Sequence, residues 1–323
     1  MKRYDVAVLG EALIDFTDYG TSDGGGRLFE QNPGGAPANV ACAVSRLGGR
    51  AAFLGKVGDD MHGRFLRDTL AGEGVDVSGM VLDPSVFTTL AFVALDAGGE
   101  RSFSFARKPG ADTCLRWEEL PEAVLNDCGI LHVGSLSLTD EPARSATLWA
   151  VKQVRSRGGA VAYDPNYRAS LWRDEENARI QMRSLVPLAD YIKISDEETE
   201  LLTGHSSPEE AAQALLEQGA RCVAVTLGAE GALIAAQDGM EVVPGCAVKW
   251  VVDTTGAGDA FWGAFLAQAA SSGLSPEEMT LEKAVEFARF ANVAASLCIG
   301  RRGAIPALPS LAEVRKQMEQ LHM

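Results

Sequence analysis

Short apolar, β-rich runs alternate with helical segments along most of this chain. The first run covers Tyr4 to Leu9 and stops at Gly10. Similar runs recur at Ala51–Leu54, Ile130–Val133, Ala160–Tyr163, Tyr191–Ile194 and Cys222–Leu227. Parallel strands need a crossover, usually a helix, between them. The alternation therefore predicts an α/β fold, in which a doubly wound, mostly parallel sheet carries helices on both faces.

The segments between these runs have helical periodicity. In Ala38–Leu47, the apolar residues Val40, Val44 and Leu47 recur at i, i+4 and i+7, which places them on one face of a helix. Comparable patterns cover Glu141–Arg157, Pro208–Gln218 and the alanine-rich Leu281–Leu297. No internal repeat, low-complexity tract or linker interrupts the chain, so we expect one domain over residues 1–323.

Two stretches break the alternation. The first, 15–31, contains Gly24-Gly25-Gly26 and has no helical period. The second, 88–107, reads as two alternating strands around Ala97-Gly98-Gly99, which is a hairpin pattern. We expect these two segments to form a small β-sheet beside the main one. Such a sheet can act as a lid over an active site or as an oligomer contact, and we expect a homodimer through this lid.

The charge balance narrows the possible partners. The chain has 29 Lys and Arg residues against 44 Asp and Glu residues, a formal net charge of −15. So acidic a chain has no general attraction for nucleic acid or an anionic membrane surface. No stretch approaches the length of a transmembrane helix, and six widely spaced cysteines without a CxxC pair argue against structural zinc. We therefore expect a cytoplasmic protein with reduced thiols and with no nucleic-acid or membrane partner.

The strongest local motif is Asp253-Thr254-Thr255-Gly256-Ala257-Gly258-Asp259. A helical pattern follows at once, so these small residues lie where a helix begins. Unpaired N–H groups and the positive end of the helix dipole make such a turn an anion site. An ionised Asp259 beside a phosphate could accept the proton of an attacking hydroxyl. In the structural alternative, Asp259 only caps the helix and the glycines only allow a tight turn.

The common nucleotide-binding motifs are absent. Gly55-Lys56 is followed by Val57, which does not make a Walker A loop. No GxGxxG opens a helix after the first strand. The sequence therefore disfavours a P-loop kinase and a dinucleotide-dependent dehydrogenase.

Other polar groups lie at the ends of predicted strands or the starts of helices. Asn39 closes the segment NPGGAPAN at a helix start and offers both a donor and an acceptor to a hydroxyl-rich ligand. Asp15 comes after the first strand, and Asp164-Pro165-Asn166-Tyr167-Arg168 comes at the end of another. Ligands bind at this edge of open α/β sheets. Each group also has a structural alternative as a capped turn.

Two later segments carry a different chemistry. Lys193–Glu200 is rich in carboxylates that could serve a hydrated Mg²⁺, although an acidic first helical turn facing solvent would look the same. Thr226–Gly231 is a strand end with a glycine turn, which suits the phosphates or the ribose of a nucleotide.

In this order, the motifs resemble the PfkB, or ribokinase-like, family of ATP-dependent sugar kinases nearly end to end. Gly34–Gly63 resembles the family's N-terminal signature, and Asp253–Ala264 resembles its C-terminal signature. The segments GEALIDF, GGAPANVA, HVGSLSL, DPNYR, KISDEE and RRGAIPALPS resemble the fructokinase branch. The resemblance implies a single PfkB-type kinase domain over 1–323 that uses ATP and Mg²⁺, with K⁺ as a further expectation.

The resemblance also implies a role for each matching residue. Asp259 matches the catalytic base, and the backbone N–H groups of Gly256, Ala257 and Gly258 match the anion hole. Asp15, Gly35 and Asn39 match positions that hold sugar hydroxyls. The further substrate-binding candidates are Gly34, Arg107 and Arg168, and either arginine could pair a substrate carboxylate or hydrogen-bond a neutral sugar. The nucleotide-binding candidates are Thr226, Gly228, Gly231 and Asn292. The candidates for ions are Glu198 for Mg²⁺ through water, and Asp253 and Thr255, with backbone around Arg301–Ala304, for a monovalent cation.

One departure from the family pattern concerns magnesium. Many relatives have Asn-x-x-Glu where this chain has Ser195-Asp196-Glu197-Glu198. Glu198 is retained, so the departure affects a direct role for position 195 and leaves magnesium use as an expectation.

The implied function is ATP-dependent phosphorylation of a sugar hydroxyl, and the expected acceptor is the 6-hydroxyl of D-fructose. One alternative is the same chemistry on 2-keto-3-deoxygluconate, ribose or an aminoimidazole riboside. An alternative of another class is a non-catalytic sugar or nucleotide sensor. The Asp259 carboxylate beside a complete Gly-Ala-Gly turn favours the enzyme, because binding alone needs no base.

Overall fold

The computed structural model describes residues 2–95 and 101–322. Its strands are β1 (Tyr4–Leu9), β2 (Leu13–Thr21), β3 (Arg27–Gly34), β4 (Ala51–Gly58), β5 (Asp76–Asp83), β6 (Leu90–Leu95), β7 (Arg101–Ala106), β8 (Cys128–Gly134), β9 (Ala160–Asp164), β10 (Tyr191–Ser195), β11 (Cys222–Thr226), β12 (Gly231–Ala236) and β13 (Gly239–Pro244). Its α-helices are α1 (Ala36–Arg46), α2 (Met61–Gly72), α3 (Glu122–Asn126), α4 (Ala143–Ser156), α5 (Glu175–Leu185), α6 (Thr199–Thr203), α7 (Pro208–Glu217), α8 (Ala257–Ser272), α9 (Leu281–Cys298) and α10 (Leu311–Leu321).

The large sheet has the strand order β13-β12-β11-β10-β9-β8-β1-β4-β5. All neighbours from β11 to β5 are parallel, and β12 and β13 add an antiparallel edge. The chain starts in the interior of the sheet, builds β4 and β5 on one side of β1, and then continues from β8 on the other side. Strand order therefore reverses beside β1, which opens a crevice at the carboxyl ends of the strands.

The core is built from two apolar layers, one on each face of this sheet. Within β1, Val6 and Val8 pack in one layer, while Ala7 and Leu9 pack in the other. Helices α1, α8 and α9 cover the first layer, and α4, α5 and α7 cover the second. Because both faces of β1 are covered, its sequence is apolar without alternation. The predicted doubly wound α/β fold is confirmed.

Helix boundaries follow local signals closely. The side chains of Ser207 and Thr280 cap α7 and α9 at their N-termini, accepting hydrogen bonds from the N–H groups of Glu210 and Lys283. These helices begin where the periodicity places them, and α9 ends one residue beyond the predicted end. Over the described ranges, no helix is both long and apolar enough to cross a bilayer.

The two irregular stretches form a second, four-stranded sheet with the order β3-β2-β6-β7. Strand β2 pairs in parallel with β6, and the two outer pairs are antiparallel. Its first two strands extend beyond the predicted segment 15–31, because β2 begins at Leu13 and β3 ends at Gly34. The turn that we placed at Ala97-Gly98-Gly99 lies outside the described residues. The second sheet is confirmed, and its action as a lid stays a prediction.

Candidate active site

A cavity of about 580 Å³ opens at the carboxyl ends of the central strands. The small sheet forms one wall, and the start of α8 forms another. The loop after β1, the start of α1 and the ends of β9 and β10 supply the remaining walls. The charged and amide side chains that line it are Glu11, Asp15, Asp18, Asn32, Asn39, Asn166, Arg168, Lys193, Asp253, Asp259 and Arg302.

The Gly-Ala-Gly turn lies in this cavity and starts α8. Gly256 is the N-cap residue with φ 77°, a left-handed conformation that favours glycine. A side chain there would also press against Ala304, whose Cβ would lie 2.9 Å from the new Cβ. The Ala257 N–H donates to the Thr254 carbonyl at 3.3 Å, while Gly258 and Asp259 belong to the first helical turn, where N–H groups have no intrahelical acceptor. The turn therefore presents donors to an anion.

Asp259 faces the cavity from the first turn of α8. Its Oδ2 accepts a hydrogen bond of 2.7 Å from the Asn39 amide of α1, which lies 220 positions earlier in the chain. Burial raises the pKa of Asp259 to about 6, against the opposing effects of the Asn39 hydrogen bond and the Lys193 charge. The carboxyl group is therefore ionised for the most part at neutral pH and can accept a proton.

Asn39 and its neighbours supply the polar wall beside that carboxylate. The Asn39 side chain is buried, and its Oδ1 has no hydrogen-bond partner in the described part of the chain. Gly35 has φ 101°, and a side chain on it would collide with the Glu11 carbonyl. The neighbouring Gly34 lets the Asp15 carboxylate lie directly against the backbone. The structure thus brings Asp15, Gly34, Gly35 and Asn39 together at one end of the cavity.

Two acidic groups of this wall, Asp15 and Glu11, have pKa values that burial raises. Burial raises the pKa of Asp15 to about 7, and the charge of Arg168 opposes this rise. Burial also raises the pKa of Glu11 to about 8. The Glu11 Oε2 is buried without a partner among the described residues. Sequence reasoning passed over Glu11, although its place directly after the first strand was a signal that could have found it.

The two candidate arginines lie in different surroundings. Arg168 is exposed and lines the cavity. Arg107 is 6% exposed, and its Nε donates to Asp112 at 2.8 Å. Its two terminal nitrogens donate to the Thr139 hydroxyl and the Leu136 carbonyl. Arg107 is not among the residues that line the cavity. The sugar contact predicted for Arg107 therefore stays a prediction, and these bonds favour a structural role.

Lys193 is a cavity residue that the sequence reasoning did not single out. It lies near the end of β10 and is 6% exposed, and its Nζ donates to Asp164 Oδ2 at 2.8 Å. The same Nζ would lie 3.1 Å from a Cβ on Gly258, so the ammonium group adjoins the anion turn. A lysine inside an otherwise apolar strand run, YIKIS, was the signal for it.

The predicted nucleotide residues lie outside this cavity. Thr226 ends β11, and Gly228 and Gly231 shape the turn into β12 with φ values of 58° and 104°. Asn292 of α9 is buried and donates its amide to the Val243 and Pro244 carbonyls at 3.1 and 3.0 Å. The turn and the asparagine thus surround the edge formed by β11 to β13. Their nucleotide-binding role stays a prediction.

The candidate cation residues form two separate groups. Asp253 Oδ1 accepts from the N–H and the hydroxyl of Thr255, and its Oδ2 accepts from the Gly303 N–H at 3.0 Å. These bonds bring the 253–255 and 300–303 loops together. Glu198 instead accepts from the N–H groups of Tyr167 and Ser195 and from the Ser195 hydroxyl. In the described ranges, no group of three or more His, Cys, Asp or Glu residues could by itself hold a metal ion.

Comparison with known proteins places the chain in a family. The profile of the pfkB family carbohydrate kinase matches residues 3–311. Fructokinase-1 of Zea mays is 44% identical over 318 residues, which cover 98% of each chain.

Solved structures agree with this match. A crystal structure of fructokinase with bound ATP from Xylella fastidiosa superposes with a TM-score of 0.91 at 36% identity, covering 99% of this chain and 100% of that one. A fructokinase from Vibrio cholerae O395 in a fructose-, ADP- and calcium-ion-bound form gives 0.85 at 40% identity, covering 96% and 97%. The resemblance that the motifs indicated is confirmed. The chain belongs to the pfkB family of carbohydrate kinases.

Proposed function

We propose that this chain transfers the γ-phosphoryl group of ATP to the 6-hydroxyl of D-fructose. The observation that carries the proposal is the Asp259 carboxylate, which Asn39 holds beside the anion turn in a cavity large enough for a sugar. The similarity to fructokinases over nearly the full chain supports this substrate.

The chemistry follows from that arrangement. The sugar hydroxyl gives its proton to Asp259 as its oxygen forms a bond to the γ-phosphorus, and the bond from phosphorus to the ADP oxygen breaks. The N–H groups of the turn stabilise charge on the transferred oxygens. In this proposal Asp15 and Asn39 hold sugar hydroxyls. The Asn39 Oδ1, which has no partner among the described residues, needs a donor, and Asp15 lines the same cavity.

The small sheet is positioned to act as a lid. Asp15, Asn32, Val93 and Phe105 of this sheet line the cavity. Arg302 also ties β3 to the loop beside the anion turn through an ion pair of 3.0 Å with Glu30. Closure over a bound sugar would exclude water and limit ATP hydrolysis.

Two ions, Mg²⁺ and K⁺, are part of the proposal, and each would contact a different group of residues. Mg²⁺ keeps several waters and binds mainly through substrate phosphates, so Glu198 could contact it through water, and the ion would neutralise phosphate charge. The Asp253 carboxylate and the Thr255 hydroxyl lie together where Asp253 contacts the 300–303 loop, and these oxygen ligands suit the K⁺ that we propose there. Rates in K⁺, Na⁺ and tetramethylammonium at constant ionic strength test the K⁺ site, and equal rates would argue against it.

We also propose that the protein is a homodimer and that it acts in the cytoplasm. Phe16 stacks on Phe92 of the neighbouring strand with ring centroids 5.3 Å apart, and Phe29 packs edge-on against Phe92 at 5.9 Å, while Phe29 and Phe92 are 40% and 37% exposed. A second copy could cover this apolar face, which supports the homodimer through the lid. Sedimentation of the purified protein tests it, and a monomer at micromolar concentration would refute it. Action in the cytoplasm stays a prediction.

An ADP-release assay on a panel of free sugars tests the proposed activity. We expect D-fructose to give the highest kcat/KM among fructose, ribose, glucose, an aminoimidazole riboside and 2-keto-3-deoxygluconate, with little ADP release when no sugar is present. A tenfold preference for another of these acceptors would keep the kinase and replace the substrate. No ADP release with any acceptor would favour the sensor.

The pH dependence of kcat/KM should report the pKa of the proposed general base, Asp259. Because Asp259 must be ionised and its pKa is about 6, we expect kcat/KM to rise with pH through about 6 and to level off above it. Asn39→Ala removes a hydrogen bond that lowers this pKa, so the rise should move to higher pH. Asp15→Asn serves as the control, because the rise should survive in it. A profile that is flat down to pH 5 would contradict the assignment of Asp259.

A further inference from the structure

Among the described residues, the buried ammonium group of Lys193 has fewer acceptors than its three donors can use. There it makes one hydrogen bond, to Asp164 Oδ2, and the Asp164 side chain is buried as well. Although burial alone would lower it, the nearby charges of Asp164, Glu198 and Asp259 raise the pKa of Lys193, so the group is a cation at neutral pH. A buried cation with unused donors favours a further anionic partner.

A second buried lysine, Lys56, provides a comparison because it pairs with two carboxylates. Lys56 is 4% exposed, and its Nζ contacts Asp83 at 3.2 Å and Glu119 at 2.6 Å. Lys56 does not line the cavity, and two carboxylates surround its charge. Lys193 differs on both points, because it has one carboxylate partner and lines the cavity beside Gly258.

The position of Lys193 and the charge of the surrounding chain both indicate that its missing partner is a phosphate. Lys193 adjoins the N–H groups that start α8, where an anion is expected. The chain carries a net charge of −15, so a polyphosphate needs local cations to approach Asp259. The other cationic side chains that line the cavity, Arg168 and Arg302, are exposed and therefore stabilise charge less.

We propose that Lys193 is a further catalytic residue, whose ammonium group binds an oxygen of the γ-phosphoryl group at the start of α8 and remains bound during its transfer. This inference rests on the proposed kinase function and adds a role that the backbone turn alone does not supply. The competing explanation is structural, in which the ion pair with Asp164 only fastens β10 to β9.

The test measures nucleotide binding before any turnover. Calorimetry with Mg²⁺ compares ADP with a non-hydrolysable ATP analogue, since only the analogue carries a γ-phosphoryl group. In Lys193→Met we expect the affinity for the analogue to fall by about 10- to 100-fold, as expected for a lost charged hydrogen bond, while ADP binding changes by less than about threefold. The kcat for fructose should fall by about 100-fold.

Two further variants separate catalysis from folding. Lys56→Met removes the other buried lysine and should lower Tm while the analogue-to-ADP affinity ratio stays at its wild-type value. The double variant Lys193→Met/Asp164→Asn also removes the buried Asp164 carboxylate that Lys193→Met leaves without its ion-pair partner. It should therefore recover Tm relative to Lys193→Met but keep the weak analogue binding. The double variant also provides the measurement if Lys193→Met fails to fold.

The proposal is overturned if the analogue and ADP lose affinity equally, or if the double variant regains wild-type analogue binding. Failure of the proposed function has a different signature. There, wild-type protein would release no ADP with fructose, whereas the preference of wild-type protein for the analogue and its loss in Lys193→Met would still support the phosphate contact.

Discussion

Asp259→Asn should lower kcat for fructose by about 10²- to 10⁴-fold, as removal of a general base commonly does. The substitution keeps the size of the side chain and can still hydrogen-bond, but it cannot accept the proton of the sugar hydroxyl. ATP affinity should change little, because the anion turn binds phosphate through backbone N–H groups. Steady-state kinetics together with calorimetry of ATP binding measure both quantities.

A purely structural Asp259 would give a different result, namely a loss of about 1 kcal/mol in unfolding free energy with near-normal turnover. Asp174→Asn is the matched control, because Asp174 caps α5 by accepting from the Asn177 N–H at 2.7 Å and lies outside the cavity lining. We expect the control to keep wild-type kcat. Turnover close to wild type in Asp259→Asn would remove Asp259 from the mechanism.

The second large effect is expected from Gly256→Ala. The new Cβ would lie 2.9 Å from Ala304 Cβ and 3.0 Å from Ala304 Cα, so the turn must shift to accommodate it. Because a displacement of this size misaligns reacting groups, kcat should fall by about 100-fold. Strain at φ 77° should also cost about 1–3 kcal/mol of unfolding free energy.

Gly273→Ala is the control for that strain. Gly273 follows the other end of α8 with φ 71°, and a Cβ there would meet no atom within 4 Å. It should lose stability through left-handed backbone strain alone and keep the wild-type kcat, since it lies far along the helix from the anion turn. Equal losses of kcat in both variants would show that stability, and not the shape of the turn, explains the effect. Chemical denaturation and kinetics of the two variants decide this.

Local physical rules explain why the elements could be predicted. The uniformly apolar run of β1 follows from burial on both faces, and caps such as Ser207 and Thr280 set helix starts within a turn. The anion turn was predictable for the same reason, since small residues directly before a helical period dictate its local geometry. The second sheet was recognisable from alternation and glycine turns, although pairing of β2 with β3 as far as Leu13 and Gly34 extended its bounds.

Partners distant in the chain could not be predicted from local rules. Asn39 was expected to face the sugar, yet its amide nitrogen contacts Asp259, because α1 and α8 pack side by side on one face of the sheet. The Arg107 guanidinium group donates to Thr139, 32 positions later, as well as to the nearby Asp112, and the sugar contact predicted for it stays a prediction. The contacts to Asp259 and Thr139 leave no pattern in the spacing of nearby residues.

The elements, their alternation, the anion turn and the family could be predicted because each depends on residue periods and short motifs. Which charged side chains meet depends instead on how the elements pack. Lys193 became a cavity residue only when β10 brought its ammonium group against Gly258, 65 positions further along the chain. The physical reason is that ion pairs and unpartnered buried oxygens depend on how strands and helices pack, and their energies vary steeply with distance and burial.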